Sequence, residues 1–287
     1  MIEISASAFD ILWDDLGGAP VPPPLAVPSV GATDRERSEI RATVYDNLAG
    51  RGLFGGALDP ALRERLSTLA RADVYVECEA VVDGALLRAV AAAGGKRGVL
   101  AAQPSRTVGL SSIRATEIFP AVVDLLSWEP GPGYGVTLPA AALRHDVADP
   151  VFGNGVAAPV FADAAGIGAA AVAGSGAAAG SRFSVAAMGR APGAARPAVD
   201  RGGSAAYERQ IREVLAIEAR PVLGAGQFSV RVRESGRLRR AGGVSWFRTD
   251  VGTYLGFVAP GRGGQDWVTV APADSARVTA RLADFLG

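Results

Sequence analysis

Few side chains in this sequence carry reactive chemistry, and their spacing limits what they can do together. His145 is the only histidine and Cys78 the only cysteine. A Ser/His/Asp relay would have to use His145 with the adjacent Asp146, yet this histidine stands in a polar stretch ahead of Pro150. No G-x-S-x-G elbow occurs to supply the serine, so His145 reads as a surface residue. Cys78 falls on the apolar side of an alternating run and reads as a buried small hydrophobe. One histidine and one cysteine would leave a zinc site to be built mostly from carboxylates, and a lone cysteine closes no internal disulfide. Neither a metal site nor a cofactor is expected.

The densest carboxylate pairs are Asp14-Asp15 and Glu77/Glu79. Acid/base catalysis needs carboxyls that converge on one cleft from separate elements. The first pair lies on the solvent side of a helical pattern and the second on the outer side of a strand pattern, so both read as solvated faces. Gly166 to Ala171 matches G-x-G-x-x-A, a permitted dinucleotide fingerprint. That motif works only between a buried strand and a helix N-terminus, whereas Pro159, Val160 and Phe161 make a poor strand and no acidic residue follows a βαβ unit. No P-loop is present. No catalytic residue is assigned and the chain is not expected to be an enzyme. An enzyme with a site invisible in sequence, or a nucleotide-binding regulator using Gly166 to Ala171, is the alternative.

Bulk properties narrow the classes further. The 287 residues are 49% hydrophobic and 20% charged, ample for a core. Lys+Arg 29 balance Asp+Glu 29, so there is no net field to hold nucleic acid or an anionic membrane. The N-terminus MIEISASAFDILWDDL lacks the basic and unbroken apolar regions of a signal peptide, which predicts a cytoplasmic protein. Ala164 to Gly180 carries no charge, but only Ile167 and Val172 exceed Ala, Gly and Ser in size, too little for a membrane span.

Several elements follow from periodicity and caps. Ile2 to Ile4 forms a short strand. Ser7 caps a helix with Phe9, Leu12, Trp13 and Leu16 at i, i+3, i+4 and i+7. Pro20 to Pro28 is an extended connector. Thr33 with Glu36 boxes a helix bearing Ile40, Val44 and Leu48, and Asp59-Pro60 opens another with Leu62, Leu66 and Leu69 inward. Val74 to Val82 alternates, with Val74, Val76, Cys78, Ala80 and Val82 on an apolar face and Tyr75, Glu77, Glu79 and Val81 facing out. Arg97 to Gln103 and Thr107 to Ile113 pair across Pro104-Ser105, Thr116 caps a helix with Ile118, Val122, Leu125 and Leu126, and Tyr134 to Leu138 is a candidate strand. Asp149 to Arg201 is dense in Ala, Gly and Pro and reads as a long connection. Ser204 caps a helix with Tyr207, Ile211, Leu215 and Glu218 on its stripe. Gln227 to Arg233 alternates strictly, Gly243 to Arg248 is a further strand, and Tyr254 to Val258 pairs with Trp267 to Val270 across Pro260 to Gly264. Asp274 then caps a closing helix with Val278, Leu282, Phe285 and Leu286 on one face.

The two halves repeat this pattern: a capped helix, an alternating strand, further strands and a second capped helix. The repeat predicts an α+β fold with a central antiparallel sheet built from two pseudo-symmetric halves and helices packed on one side of it. It is expected to form a single domain over 1–287, its halves spanning about 1–140 and 201–287 and joined through 149–201.

Short motifs in both halves carry a likeness. Gly252-Thr-Tyr-Leu, followed by Trp267-Val-Thr-Val-Ala-Pro-Ala-Asp274 and the closing Arg/Leu-rich helix, resembles the C-terminus of the EspG family, type VII (ESX) secretion-associated chaperones of actinobacteria. Ala225-Gly-Gln-Phe228, Phe9-Asp-Ile-Leu-Trp13 and Arg97-Gly-Val-Leu100 are similar to the family pattern as well. The resemblance implies a cytoplasmic, non-enzymatic protein that binds the exposed tip of helical-hairpin (PE/PPE-like) secretion substrates, keeps them soluble and directs them to the export machinery. Nucleic acid and membrane insertion are not implied, and a homodimer is left open. Departure from the family is largest at Asp149 to Arg201. Ser229, Arg231 and Arg233, the polar side of their strand, are the candidate partner-binding residues; the alternative is that they form an ordinary solvated strand face.

Overall fold

Alternating side chains and two-residue turns account for most of the sheet. The computed structural model describes residues 1–17, 20–139, 204–261 and 265–287. Its elements run β1 (Ile2–Ser5), α1 (Ala6–Asp15), α2 (Asp34–Gly50), α3 (Pro60–Arg71), β2 (Val74–Val82), β3 (Ala85–Gly94), β4 (Arg97–Gln103), β5 (Thr107–Arg114), α4 (Ile118–Val123) and β6 (Val136–Pro139). The second series is α5 (Ser204–Glu218), β7 (Val222–Glu234), β8 (Arg237–Thr249), β9 (Gly252–Pro260), β10 (Asp266–Pro272) and α6 (Ser275–Ala283).

The strands are hydrogen-bonded in the order β1-β5-β4-β3-β2-β7-β8-β9-β10-β6. Exchanging each strand for its counterpart in the other series, β1 for β6 and β2 to β5 for β7 to β10, turns this order into its own reverse. The strand order is therefore symmetric about the antiparallel pair β2/β7. Both series begin their meander with a tight hairpin, Asp83-Gly84 (φ 51° and 78°) and Ser235-Gly236 (φ 50° and 80°). Two successive positive φ values are the mark of a type I′ turn, whose twist suits a hairpin.

By its contacts the chain divides into two compact units, Met1–Glu129 with Gly224–Gly243 and Asp274–Gly287, and Pro130–Leu223 with Val244–Ala273. In the first, β2 pairs with β3 and with β7, β3 with β4, β4 with β5, and β5 with β1, all antiparallel. One sheet face carries Tyr75, Val90, Ala92, Val99, Ala101, Val108 and Leu110, which join Phe9, Leu12, Leu48, Leu62, Leu66 and Leu69 of α1 to α3 in one core. The opposite face carries Val76, Cys78, Ala89, Ala91, Phe228 and Val230, all with no exposure. There α4 contributes Ile118, Phe119, Val122 and Val123 and packs against β2 to β5 and α6. Helices thus cover both faces, not one as the alternation suggested. That double covering is why Tyr75 and Glu77, expected to point to water, are buried at 2% and 7% exposure.

β3 explains how both layers fit. Its sequence ALLRAVAAAG has little β-branched content and gave no strand signal, yet it sits between β2 and β4, and its alanines let helices approach from either side. Other boundaries shift locally. The cap of α1 is Ser5, whose hydroxyl accepts the Ala8 amide, rather than Ser7. An Arg114/Glu117 box, not Thr116, opens the turn ahead of α4. The caps at Thr33, Asp59 and Asp274 stand as expected. Leu286 at the end of the chain is 41% exposed instead of facing inward.

In the second unit β9 pairs with β10 and β10 with β6. Val136, Leu138, Trp246, Tyr254, Val268 and Val270 are buried, and the Thr137 and Thr269 hydroxyls meet at 2.9 Å. Phe247 lies opposite Tyr254 with ring centroids 5.6 Å apart, and the Tyr254 hydroxyl donates to the Pro132 carbonyl at 3.3 Å. On α5 Val214 is buried and Ile211, Leu215 and Glu218 of the expected stripe are half-buried, whereas Tyr207 is 40% exposed. Among the described residues no helix is long and apolar enough to cross a membrane. His145, Gly166 to Ala171 and the stretch from Asp149 to Arg201 lie outside the described residues.

The β2/β7 seam is tightest at Gly226, where a Cβ would lie 2.7 Å from the Glu79 carbonyl oxygen and 2.8 Å from the Ala80 Cβ. Both neighbours belong to a central strand that has no room to retreat. Gly226→Ala is expected to lower stability by about 2 kcal/mol, the usual scale for overpacking, read as a lower urea midpoint with unchanged slope. An unchanged midpoint would mean that the seam relaxes freely.

Candidate partner-binding surface

The strict alternation of Gln227 to Arg233 places Ser229, Arg231 and Arg233 on one side of β7. Pairing with β2 sets Ser229 opposite Glu77 and Arg231 opposite Tyr75. The structure brings the three residues to one face but gives each an internal partner or a buried position. Ser229 is buried at 9% exposure. Arg231 Nε lies 2.8 Å from Glu77 Oε1, with the glutamate side chain 8% exposed and the arginine 32%.

Arg233 is a latch for α3. Its amide donates to the Asp73 carbonyl at 2.7 Å and its Nε to the Ala72 carbonyl at 3.0 Å. Its Nη2 donates to the Tyr75 hydroxyl at 3.4 Å, and that hydroxyl donates to the Leu69 carbonyl at 2.8 Å. The last carbonyls of a helix have no intrahelical donor and carry partial negative charge. A guanidinium and a phenol from the sheet satisfy them here, which fixes the end of α3 to the start of β2.

Glu77 is the residue that sequence reasoning misplaced. Burial raises its pKa to about 7, against the opposing attraction of Arg231 and a weaker one from Arg240. Burial lowers the pKa of Arg240, nearby Arg231 lowers it further, and Glu77 offsets part of the effect. The cluster of one carboxylate and two guanidiniums is therefore an internal electrostatic unit between adjacent strands. The available signal was the offset between two alternating strands: a glutamate and an arginine on the polar sides of both runs are complementary once those strands are neighbours.

The other reactive candidates have structural duties. Cys78 is wholly buried, and burial pushes its thiol far above the ordinary range, with Glu79 adding to the effect. Asp14 and Asp15 bind Arg41 at 3.2 Å and 2.8 Å, and Asp15 accepts the Tyr45 hydroxyl at 2.6 Å, joining α1 to α2. Glu79 pairs with Arg88 at 3.3 Å. No group of three or more metal-capable side chains occurs among the described residues.

Beyond the latch the β7/β8 hairpin runs into solvent. Glu234, Arg237, Leu238 and Arg239 are exposed, and Arg239 Nη1 lies 2.8 Å from Glu234 Oε2. This stretch gave no strand signal because three arginines interrupt the apolar positions, yet it forms the first part of β8.

Glu77 makes stability pH-dependent. Its folded pKa lies above the ordinary 4.5, so the folded state holds a proton that the unfolded chain has lost. Stability from this group falls as pH rises from about 4.5 to about 7 and the cost is complete above that, on the order of 3 kcal/mol. Glu218, also raised to about 7 by burial, acts in the same direction. Urea midpoints at pH 5.5 and pH 8 should differ less in Glu77→Gln than in the parent chain. Equal pH slopes in the two would show that Glu77 ionises freely.

A family model described as the EspG family matches residues 5–284. A comparison with curated proteins gives no match. Among solved structures, the chain is similar to the Mycobacterium tuberculosis type VII secretion system chaperone EspG5, determined in complex with a PE25-PPE41 dimer. The match has a TM-score of 0.61 at 12% sequence identity and covers 99% of this chain and 95% of that one. At that identity the likeness is one of fold.

Proposed function

Because the chain belongs to the EspG family, we propose that it is a cytoplasmic chaperone of type VII secretion that binds the tip of helical-hairpin substrates of the PE/PPE kind. In this role it keeps the substrate soluble and directs it to the export machinery, without catalysing a reaction. The family match over nearly the whole chain carries this reading, and the fold shared with a chaperone solved with its PE-PPE dimer supports it. Physically, an exposed apolar tip is an aggregation hazard, and covering it calls for shape and a few strong contacts rather than perturbed acid/base groups. The working unit in this reading is a single domain of two similar halves, and the side of β7 that bears Ser229, Arg231 and Arg233 is the candidate client surface, reached through the half-exposed Arg231 because Ser229 is buried and Arg233 is held by carbonyls.

Co-expression with PE/PPE pairs from the same organism should yield a complex that survives size-exclusion chromatography. Failure of every candidate pair to co-elute would overturn the chaperone reading.

The role of Arg231 needs a variant that keeps the fold, since reversing its charge would leave Glu77 buried beside a like charge. Neutralising both partners in Glu77→Gln/Arg231→Gln removes the pair together. Client affinity is expected to fall about tenfold in the double variant relative to Glu77→Gln, equivalent to about 1.4 kcal/mol. Equal affinities would place the contact surface elsewhere.

A further inference from the structure

α5 carries an acidic residue where its phase calls for an apolar one. Ile211, Val214 and Glu218 fall at i, i+3 and i+7 and so share one side of the helix. Val214 is buried and Ile211 half-buried, and Glu218 continues their stripe inward. Its Oε1 is buried and accepts no hydrogen bond among the described residues. β6, against which α5 packs, has no ionisable side chain in Val136–Pro139. The charged groups around this end of the helix are engaged elsewhere. Arg220 Nη1 lies 3.0 Å from Asp250 Oδ2, Glu213 lies against Gly133, and all three act on Tyr254. Burial alone raises the Glu218 pKa to about 7. Its place at the end of the helix adds to the cost of a negative charge, because the last carbonyls are themselves partly negative.

The grip on α5 is also light. Among the described residues of this helix Val214 is the one fully buried, and Ala205 to Gln210 are all exposed. From this arrangement we propose that α5 is a pH-gated flap, docked on β6 while Glu218 holds its proton and released when that carboxyl ionises. A protonated carboxyl tolerates the apolar stripe without a cation, whereas the ionised one has neither a partner nor water at Oε1 until the helix lifts. An isolated helix of 15 residues is marginal in water, so a released α5 also loses its helical hydrogen bonds. The docked state binds the proton more tightly than the released one. Docking is therefore strongest below pH 4.5 and weakens as pH rises through about 7. This device goes beyond the chaperone reading and does not depend on it.

Hydrogen exchange of the full chain at pH 6 and pH 8, corrected for the intrinsic effect of pH on amide exchange, reads the opening of α5 against that of β2. In the parent chain α5 should be less protected than β2 at both pH values, the mark of local opening, and its opening constant should rise about tenfold from pH 6 to pH 8. In Glu218→Gln the α5 protection should be the same at both pH values. Glu218→Leu completes the apolar stripe and should protect α5 more than the parent chain does at pH 8, again without pH dependence. Equal α5 protection at pH 6 and pH 8 in the parent chain overturns the proposal, as does a tenfold change that persists in both variants. Protection of α5 equal to that of β2 overturns it too, by assigning the pH dependence to unfolding of the whole chain.

Discussion

The register between β2 and β7 is the constraint on which the rest of the molecule depends. Nine residue pairs, from Val74 opposite Val232 to Val82 opposite Gly224, join the two strands that begin the two meanders. From this seam the strand order runs outward through the same succession of hairpins on either side. A slip of one residue would turn one of the two strands over, carrying Cys78 or Phe228 from the apolar layer beneath α4 toward the opposite helices, and would part Glu77 from Arg231. Central strands covered on both faces have no solvated side to absorb such an error. The seam therefore combines opposite requirements: a side chain small enough for close approach at Gly226, bulk at Phe228 against Trp128, and matched charge at Glu77 and Arg231.

Much of this was legible in sequence wherever the signal is local. Thr33, Asp59 and Asp274 mark helix starts because their side chains satisfy amides only three residues away. The alternation of Gln227 to Arg233 gives a strand because periodicity needs no partner. The family resemblance was carried by short motifs in both halves, and the family match spans both. What was not legible depends on neighbours distant in sequence. β3 is a strand because β2 and β4 supply its hydrogen bonds, not because alanine favours one. Glu77 is internal because α1 to α3 and α4 cover opposite faces, whereas alternation alone assigns a glutamate to water. The early part of β8 was hidden by arginines whose place in a hairpin follows from Ser235-Gly236.

The polar groups of the seam also separate two duties that look alike in sequence. Arg231 and Arg233 are spaced as a solvated strand face would be, but one compensates a buried carboxylate and the other closes the end of a helix. Both duties are structural and fall to one strand, whose polar side chains tie the centre of the sheet to the end of α3.

Cys78 gives the seam an unintended use. The only thiol of the chain lies at the middle of β2, opposite Phe228, with no exposure. An alkylating reagent in solution reaches that sulfur only when β2 loses its cover. The rate at which the native protein is labelled at this one atom is thus a clock for opening of its centre, with no engineered probe required. Comparing that rate with and without a client would reveal whether capture at the surface is felt at the innermost strand.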